Sequence, residues 1–302
     1  MSNLLLLLVC FVSGILLRRY NRIPSDASKV LNAFILYLSL PALVFHQIYK
    51  VKLSPEILLP ALMPWLVFAF AFLLFYFLYS IHVYSKEMMV CLTLCCGLGN
   101  TSFVGIPILE SYLGRDALAY GIICDQLGTF LVLSFPGVIL IQLQGEKSWT
   151  FLSLCKRIFL FPPAIALLFA ILFKSLSIPT FILSSLERLG DTLSPLALVS
   201  VGSILDFKSI PGFRKMLALG LVFKLLLSPL LIWIIYQNLN LSKLEFQTIV
   251  LESAMGPMVT SSILLIDRKI FPDLASLFLG VGIPISFLST YCIYYLLSKG
   301  IL

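Results

Sequence analysis

Along this chain apolar residues come in blocks of about twenty, the length a helix needs to cross the hydrocarbon of a bilayer, and polar residues are confined to short stretches between them. The blocks predict helices over 2–17, 28–49, 57–80, 88–113, 116–142, 155–173, 180–205, 216–236, 245–266 and 274–298. Inside a bilayer no water is at hand for stray N–H and C=O groups, so a continuous apolar run must satisfy its backbone internally, as helix does. The expected fold is therefore all-α and integral to a membrane, with ten spans in one domain over residues 1–302. The longest polar stretch, around Gln142 to Trp149, is only a connector.

Composition removes the water-soluble alternative. Of 302 residues, 60% are hydrophobic and 12% charged, against about a quarter charged in an average soluble domain, and the mean hydropathy is +1.05. A secretory signal carries positive charge ahead of its apolar core. Here Arg18, Arg19 and Arg22 follow the first block, which reads instead as a first span with its N-terminus outside. The net charge of +7 is spread over loops rather than interleaved with aromatics on one face, so nucleic acid is not an expected partner. Of the 21 Lys and Arg, thirteen fall on the side of the first loop and six on the other, with Arg188 and Lys224 inside spans. That excess predicts a multi-pass protein of a bacterial-type inner, or plasma, membrane with both termini outside.

The two halves of the chain echo each other. Ser39-Leu40-Pro41-Ala42-Leu43-Val44 resembles Ser194-Pro195-Leu196-Ala197-Leu198-Val199, and Leu66-Val67-Phe68 resembles Leu221-Val222-Phe223 at the same offset. A near-identical offset pairs Gly99 with Gly256 and Asp116 with Asp273. Matches in register favour a duplication, repeat one over 1–145 and repeat two over 150–302, and five spans per copy would turn the second copy upside down.

The fourth and ninth blocks are interrupted. Cys96-Gly97-Leu98-Gly99-Asn100-Thr101-Ser102-Phe103-Val104-Gly105-Ile106-Pro107 puts three glycines, an amide, two hydroxyls and a proline at mid-membrane, and Glu252-Ser253-Ala254-Met255-Gly256-Pro257-Met258-Val259-Thr260-Ser261-Ser262 is its counterpart. Gly costs about 1 kcal/mol and Pro about 3 in a helix interior, and backbone freed in hydrocarbon must find partners. A single break of this kind is ordinary packing or a kink. Paired breaks at equivalent depth point instead to a binding site, where half-helix N-termini, each worth roughly +0.5 charge, hold an anion without a cationic side chain. The candidate substrate-binding residues are Asn100, Thr101, Ser102, Pro107, Gly256, Pro257 and Thr260.

Ionisable groups within spans cost at least about 2.5 kcal/mol each on insertion and are few. Asp125 with Gln126, Glu252, Asp191 and Lys224 are the candidates for coupling or charge relay. Lys224 is expected to pair with Asp191 or Glu252, or to face substrate, while Glu187 and Arg188 read as interfacial anchors. His46 and His82 stand apart from each other and from the seven cysteines, which lie in apolar blocks as small hydrophobes, so neither metal nor other cofactor is expected beyond a coupling proton or sodium ion. No metalloprotease, P-loop or nucleophile-elbow motif is present, and an enzyme is not expected.

The chain resembles the auxin efflux carrier family over essentially its whole length. The resemblance rests on Ser39-Leu40-Pro41-Ala42-Leu43, on Gly99 to Pro107, on Leu196-Ala197-Leu198-Val199-Ser200-Val201-Gly202 and on Lys224-Leu225-Leu226-Leu227-Ser228-Pro229-Leu230. It implies ten helices as two inverted five-helix repeats with broken helices four and nine crossing at the substrate site, as in bile acid sodium symporters. It departs from the family at Gly256-Pro257, where two prolines are frequent, and at Glu252, where an uncharged residue is common. The long cytoplasmic loop of plant members is missing. The expected function is secondary active transport of a small organic anion, a carboxylate such as malonate among the candidates, by alternating access. A sodium- or proton-coupled cation exchanger using the same acids is the alternative. Expected partners are the anion and the lipid bilayer, with a second copy of the chain left open.

Overall fold

The computed structural model describes residues 2–24, 26–50, 58–142, 160–204 and 211–300. Lys52, Lys147, Cys155, Lys156, Arg157 and Lys208, and the first residues of the predicted 155–173 span, lie outside them. Among the described residues all regular structure is helical. The helices are α1 (Ser2–Arg19), α2 (Ala27–Lys50), α3 (Leu59–Ser80), α4 (Lys86–Gly97), α5 (Ile106–Leu113), α6 (Arg115–Gln142), α7 (Pro162–Ser175), α8 (Thr180–Asp191), α9 (Leu193–Ile204), α10 (Arg214–Tyr236), α11 (Lys243–Ser253), α12 (Val259–Asp267) and α13 (Pro272–Ser298). Five of them, α2, α3, α6, α10 and α13, are long and apolar enough to cross a membrane. The fourth and ninth predicted spans are divided as expected, into α4 with α5 and α11 with α12. The 180–205 span, expected to be continuous, is interrupted at Thr192, whose hydroxyl donates to the Leu189 carbonyl at 2.6 Å and draws the backbone out of register. Bulky apolar side chains such as Leu172 and Leu288, each 70% exposed, cover the surface, as a protein with lipid for its solvent requires.

Prolines shape these helices in a regular way. Pro41, Pro107 and Pro229 each lack the N–H that would bond the carbonyl four residues earlier. In each case the residues just before adopt wide, five-residue-spaced π turns: Ile35–Ser39, Thr101–Gly105 and Phe223–Leu227. A fourth π turn, Leu133–Gly137, contains Pro136, and a fifth, Cys124–Thr129, forms without one. Such turns recur where backbone geometry is bent to a functional need.

The chain forms two compact units. The first comprises Met1–Pro55, Ser102–Ile122 and Thr150–Ile204. Within it α1 packs along α9, closely enough that a methyl group added at Gly202 would stand 2.3 Å from the Phe11 carbonyl oxygen, and one at Gly14 2.3 Å from that of Val199. The second half of α2 packs on α7 and α8. There Ser39 donates to the Thr192 hydroxyl at 2.7 Å, and Lys174 closes the C-terminus of α2 by donating to the Ile48 and Tyr49 carbonyls at 2.8 and 2.9 Å.

The second unit comprises Glu56–Thr101, Ile123–Trp149 and Leu205–Leu302. In it α3 packs on α4 and on the π turn of α6, where Gly128 leaves room for Pro64; α10 and α3 pack on α11, and α12 on α13.

Contacts this close tolerate no side chain. Gly202→Ala is expected to cost about 1–3 kcal/mol by overpacking and to lower the unfolding temperature in detergent. Gly212→Ala, with nothing within 4 Å of the added carbon, should leave it unchanged.

Candidate functional site

The two breaks meet. Leu98 to Asn100, between α4 and the Thr101–Gly105 turn, lies antiparallel to Gly256 to Met258, between α11 and α12. Asn100 N–H donates to the Gly256 carbonyl at 2.8 Å and Met258 N–H to the Leu98 carbonyl at 3.1 Å, with Gly99 and Pro257 as the paired residues. Backbone groups released by one break are thus satisfied by the other, in a setting where an unpaired one would be costly. Pro257 has no N–H to donate, and at this paired position none is asked of it. Small residues permit the approach: a Cβ on Gly256 would lie 2.9 Å from Ser286 Oγ, and one on Gly282 would lie 2.8 Å from Pro257 Cδ.

Polar side chains from three further places converge on this pairing. Thr101, first residue after the break, donates to Asp125 Oδ1 at 2.5 Å, and Gln126 Nε2 donates to Oδ2 at 2.6 Å. Lys224 reaches in from the π turn of α10. Its Nζ donates to the Ser253 carbonyl at 3.2 Å, sharing that oxygen with Ser228 Oγ at 3.0 Å, and lies 3.1 Å from where a Cβ on Gly99 would stand. Glu252, one residue before that carbonyl, is fully enclosed, and neither of its carboxyl oxygens has a hydrogen-bond partner. Asn100, Thr101, Asp125, Gln126, Lys224 and Glu252 are all at most 3% exposed. Four of these groups, Thr101, Asp125, Gln126 and Lys224, sit in π turns, whose wider coil displaces a side chain from its α-helical bearing.

Sequence reasoning brought together Asn100, Thr101, Gly256, Pro257, Asp125, Gln126, Glu252 and Lys224, and the structure does likewise. It departs from expectation in three ways. Lys224 forms an ion pair with neither Asp191 nor Glu252; its partner is a carbonyl that the helix break sets free. Thr260, on the first turn of α12, is exposed rather than turned to the buried pairing. Ser102, Pro107 and Asp191 belong to the first unit.

In that unit a cluster appears that the spacing of residues gave no reason to expect. Arg115 donates to Glu187 at 2.6 Å and Asp191 at 2.8 Å, and its Nε lies 3.3 Å from Glu110. Glu187, expected as an interfacial anchor, is thus a partner of Arg115 and also faces the buried His46 at 4.0 Å. Glu110, Arg115 and Asp191 of this cluster line a cavity of about 340 Å³ with Pro107, Ser194 and Pro195. Glu110 is five residues from the half-exposed arginine, but Glu187 and Asp191 are 72 and 76 residues away, beyond what sequence spacing reaches.

Comparison with known proteins gives a consistent picture. A family described as membrane transport protein matches residues 1–294. An uncharacterized transporter of Methanocaldococcus jannaschii is 27% identical over 274 residues, covering 87% of this chain and 88% of the relative. One of Methanothermobacter thermautotrophicus is 25% identical over 278 residues, covering 91% of each.

Thr101 donates to a buried carboxylate. Thr101→Val should therefore destabilise the protein by about 1–3 kcal/mol, read as a lower midpoint in thermal unfolding followed by tryptophan fluorescence. Thr101→Ser should recover most of the loss.

Proposed function

Since the chain belongs to the membrane transport protein family, that of the auxin efflux carriers, we propose that it is a secondary active transporter of a small organic anion, a carboxylate, working by alternating access. The observation that carries this reading is the Lys224 ammonium at the meeting point of two helix breaks. One of its three N–H groups serves the Ser253 carbonyl, which leaves donors for a carboxylate arriving at Asn100 and Thr101. The first amides of α12, Val259 to Ser261, have no carbonyl one turn back within their helix and add the positive end of its dipole. Pro257 and Gly256 shape the backbone and its packing in this reading rather than touching the substrate through side chains.

Cation exchange on the acids as primary ligands fits less well. Asp125 is already engaged by Thr101 and Gln126, and a resident positive charge would repel a cation at the same point. The duplicated sequence motifs support two inverted repeats, and the Lys and Arg asymmetry supports both termini outside, in an inner or plasma membrane.

The test is uptake into proteoliposomes of a panel of labelled carboxylates, including malonate and succinate. Losing the cation that pairs with a buried anion costs about 2–5 kcal/mol, so Lys224→Met should lower uptake of any responsive carboxylate by about thirtyfold or more. Full activity in that variant would remove Lys224 from the site. A panel in which no carboxylate moves, while a cation does, would overturn the anion reading.

A further inference from the structure

We infer that the coupling ion of this transporter is a proton, held on the Asp125 and Glu252 pair, with Lys224 filling the place at the helix break that a metal cation would otherwise take. The inference rests on the carboxylate-transport reading above and names its energy source.

The charge inventory around the break is small. Lys224 comes from α10, Asp125 from α6 and Glu252 from α11. Against α11 also pack α3, which contains no acid, base or histidine, and α13, whose single such residue is Asp273 on its first turn. Against the π turn of α10 packs α4, whose charged residues, Lys86 and Glu87, are on its first turn; the thiols of Cys96 and Cys124 also face the three, and a thiol's ordinary pKa lies above neutrality. One base and two acids, all enclosed, are electrically balanced only when the acids share one proton between them. Geometry says which acid holds it. Asp125 accepts from a hydroxyl and an amide, the environment of an ionised carboxylate. Glu252 has no donor on either oxygen and no contact with solvent, the environment of a neutral carboxylic acid.

An arriving carboxylate changes the balance. Once it pairs with Lys224, Asp125 loses its counter-charge, and the site returns to neutrality by taking one more proton from water, forming an O–H bond on the acid pair. On the opposite face the anion leaves, that O–H bond breaks, and the proton passes back to water. One proton therefore travels with each anion. The Ser253 carbonyl is where a sodium ion would find a backbone ligand, and the ammonium already occupies it.

Two measurements test this. In infrared spectra of the purified, anion-free protein at pH 7, the carbonyl stretch of a protonated carboxyl, shifted by deuterium exchange, should be present in the unmodified chain and disappear in Glu252→Gln, where Asp125 stays ionised opposite Lys224. Gln is the isosteric mimic of the neutral acid, so this variant is expected to fold. Loss of no such band in Glu252→Gln overturns the inference even if transport proceeds. In proteoliposomes with the membrane potential clamped, a one-unit pH gradient, acid outside, should accumulate labelled malonate or succinate about tenfold. A tenfold sodium gradient at equal pH should give no accumulation; under the pH gradient Glu252→Gln, in which Asp125 still takes the proton, should keep the accumulation, and combining it with Asp125→Asn should bring the ratio to about one. Accumulation driven by sodium alone would overturn the proton while leaving carboxylate transport standing. Movement of neither probe would instead count against the transport reading, with the infrared band still deciding where the proton sits.

Discussion

Hydrocarbon offers no hydrogen bonds, and the described structure follows from how this chain breaks two helices without leaving their backbone unpaired. The breaks at Leu98 to Asn100 and at Gly256 to Met258 serve as each other's partners, donating one N–H in each direction. The carbonyl left over at Ser253 goes to Lys224 and Ser228. A polar point in an apolar interior thereby becomes tolerable, and because only one donor of Lys224 is consumed, the same arrangement keeps positive charge available there. Structural repair of the helices and retention of a buried positive charge are one arrangement seen from two sides.

The prolines extend this logic along the helices. Each of Pro41, Pro107 and Pro229 withholds an N–H, and the turn before it widens. In α10 that widened turn is the one carrying Lys224, and after the first break it is the one carrying Thr101. Close packing then fixes the bent pieces. Gly256 and Gly282 let Pro257 sit against α13, and in the first unit Gly14 and Gly202 let α1 and α9 come into backbone contact. Van der Waals contact through small residues is the available cohesion where lipid abolishes any hydrophobic drive between helices.

The acids divide by unit and by partner. Asp191, with Glu187 and Glu110, engages Arg115 near the surface of the first unit, where water can share the charge. Asp125 and Glu252 lie enclosed in the second unit, one with a donor on each oxygen and one with none. Acids that look alike in sequence are therefore separated in chemistry by what surrounds them.

The sequence by itself determined the membrane as solvent, most helix bounds within a few residues though not the break at Thr192, the two interrupted spans and most of the residues that gather at them. These are local properties: hydropathy over twenty residues, the missing N–H of proline, the helix-breaking of Gly99 and Gly256. Only the tertiary structure decided the partners. That Lys224 faces Ser253 rather than an acid, that Asp125 takes Thr101 while Glu252 takes nothing, that Thr260 turns outward and that Arg115 gathers three carboxylates all depend on side-chain direction through widened turns. They depend equally on contacts between segments tens to more than a hundred residues apart, and no periodicity in the chain records either.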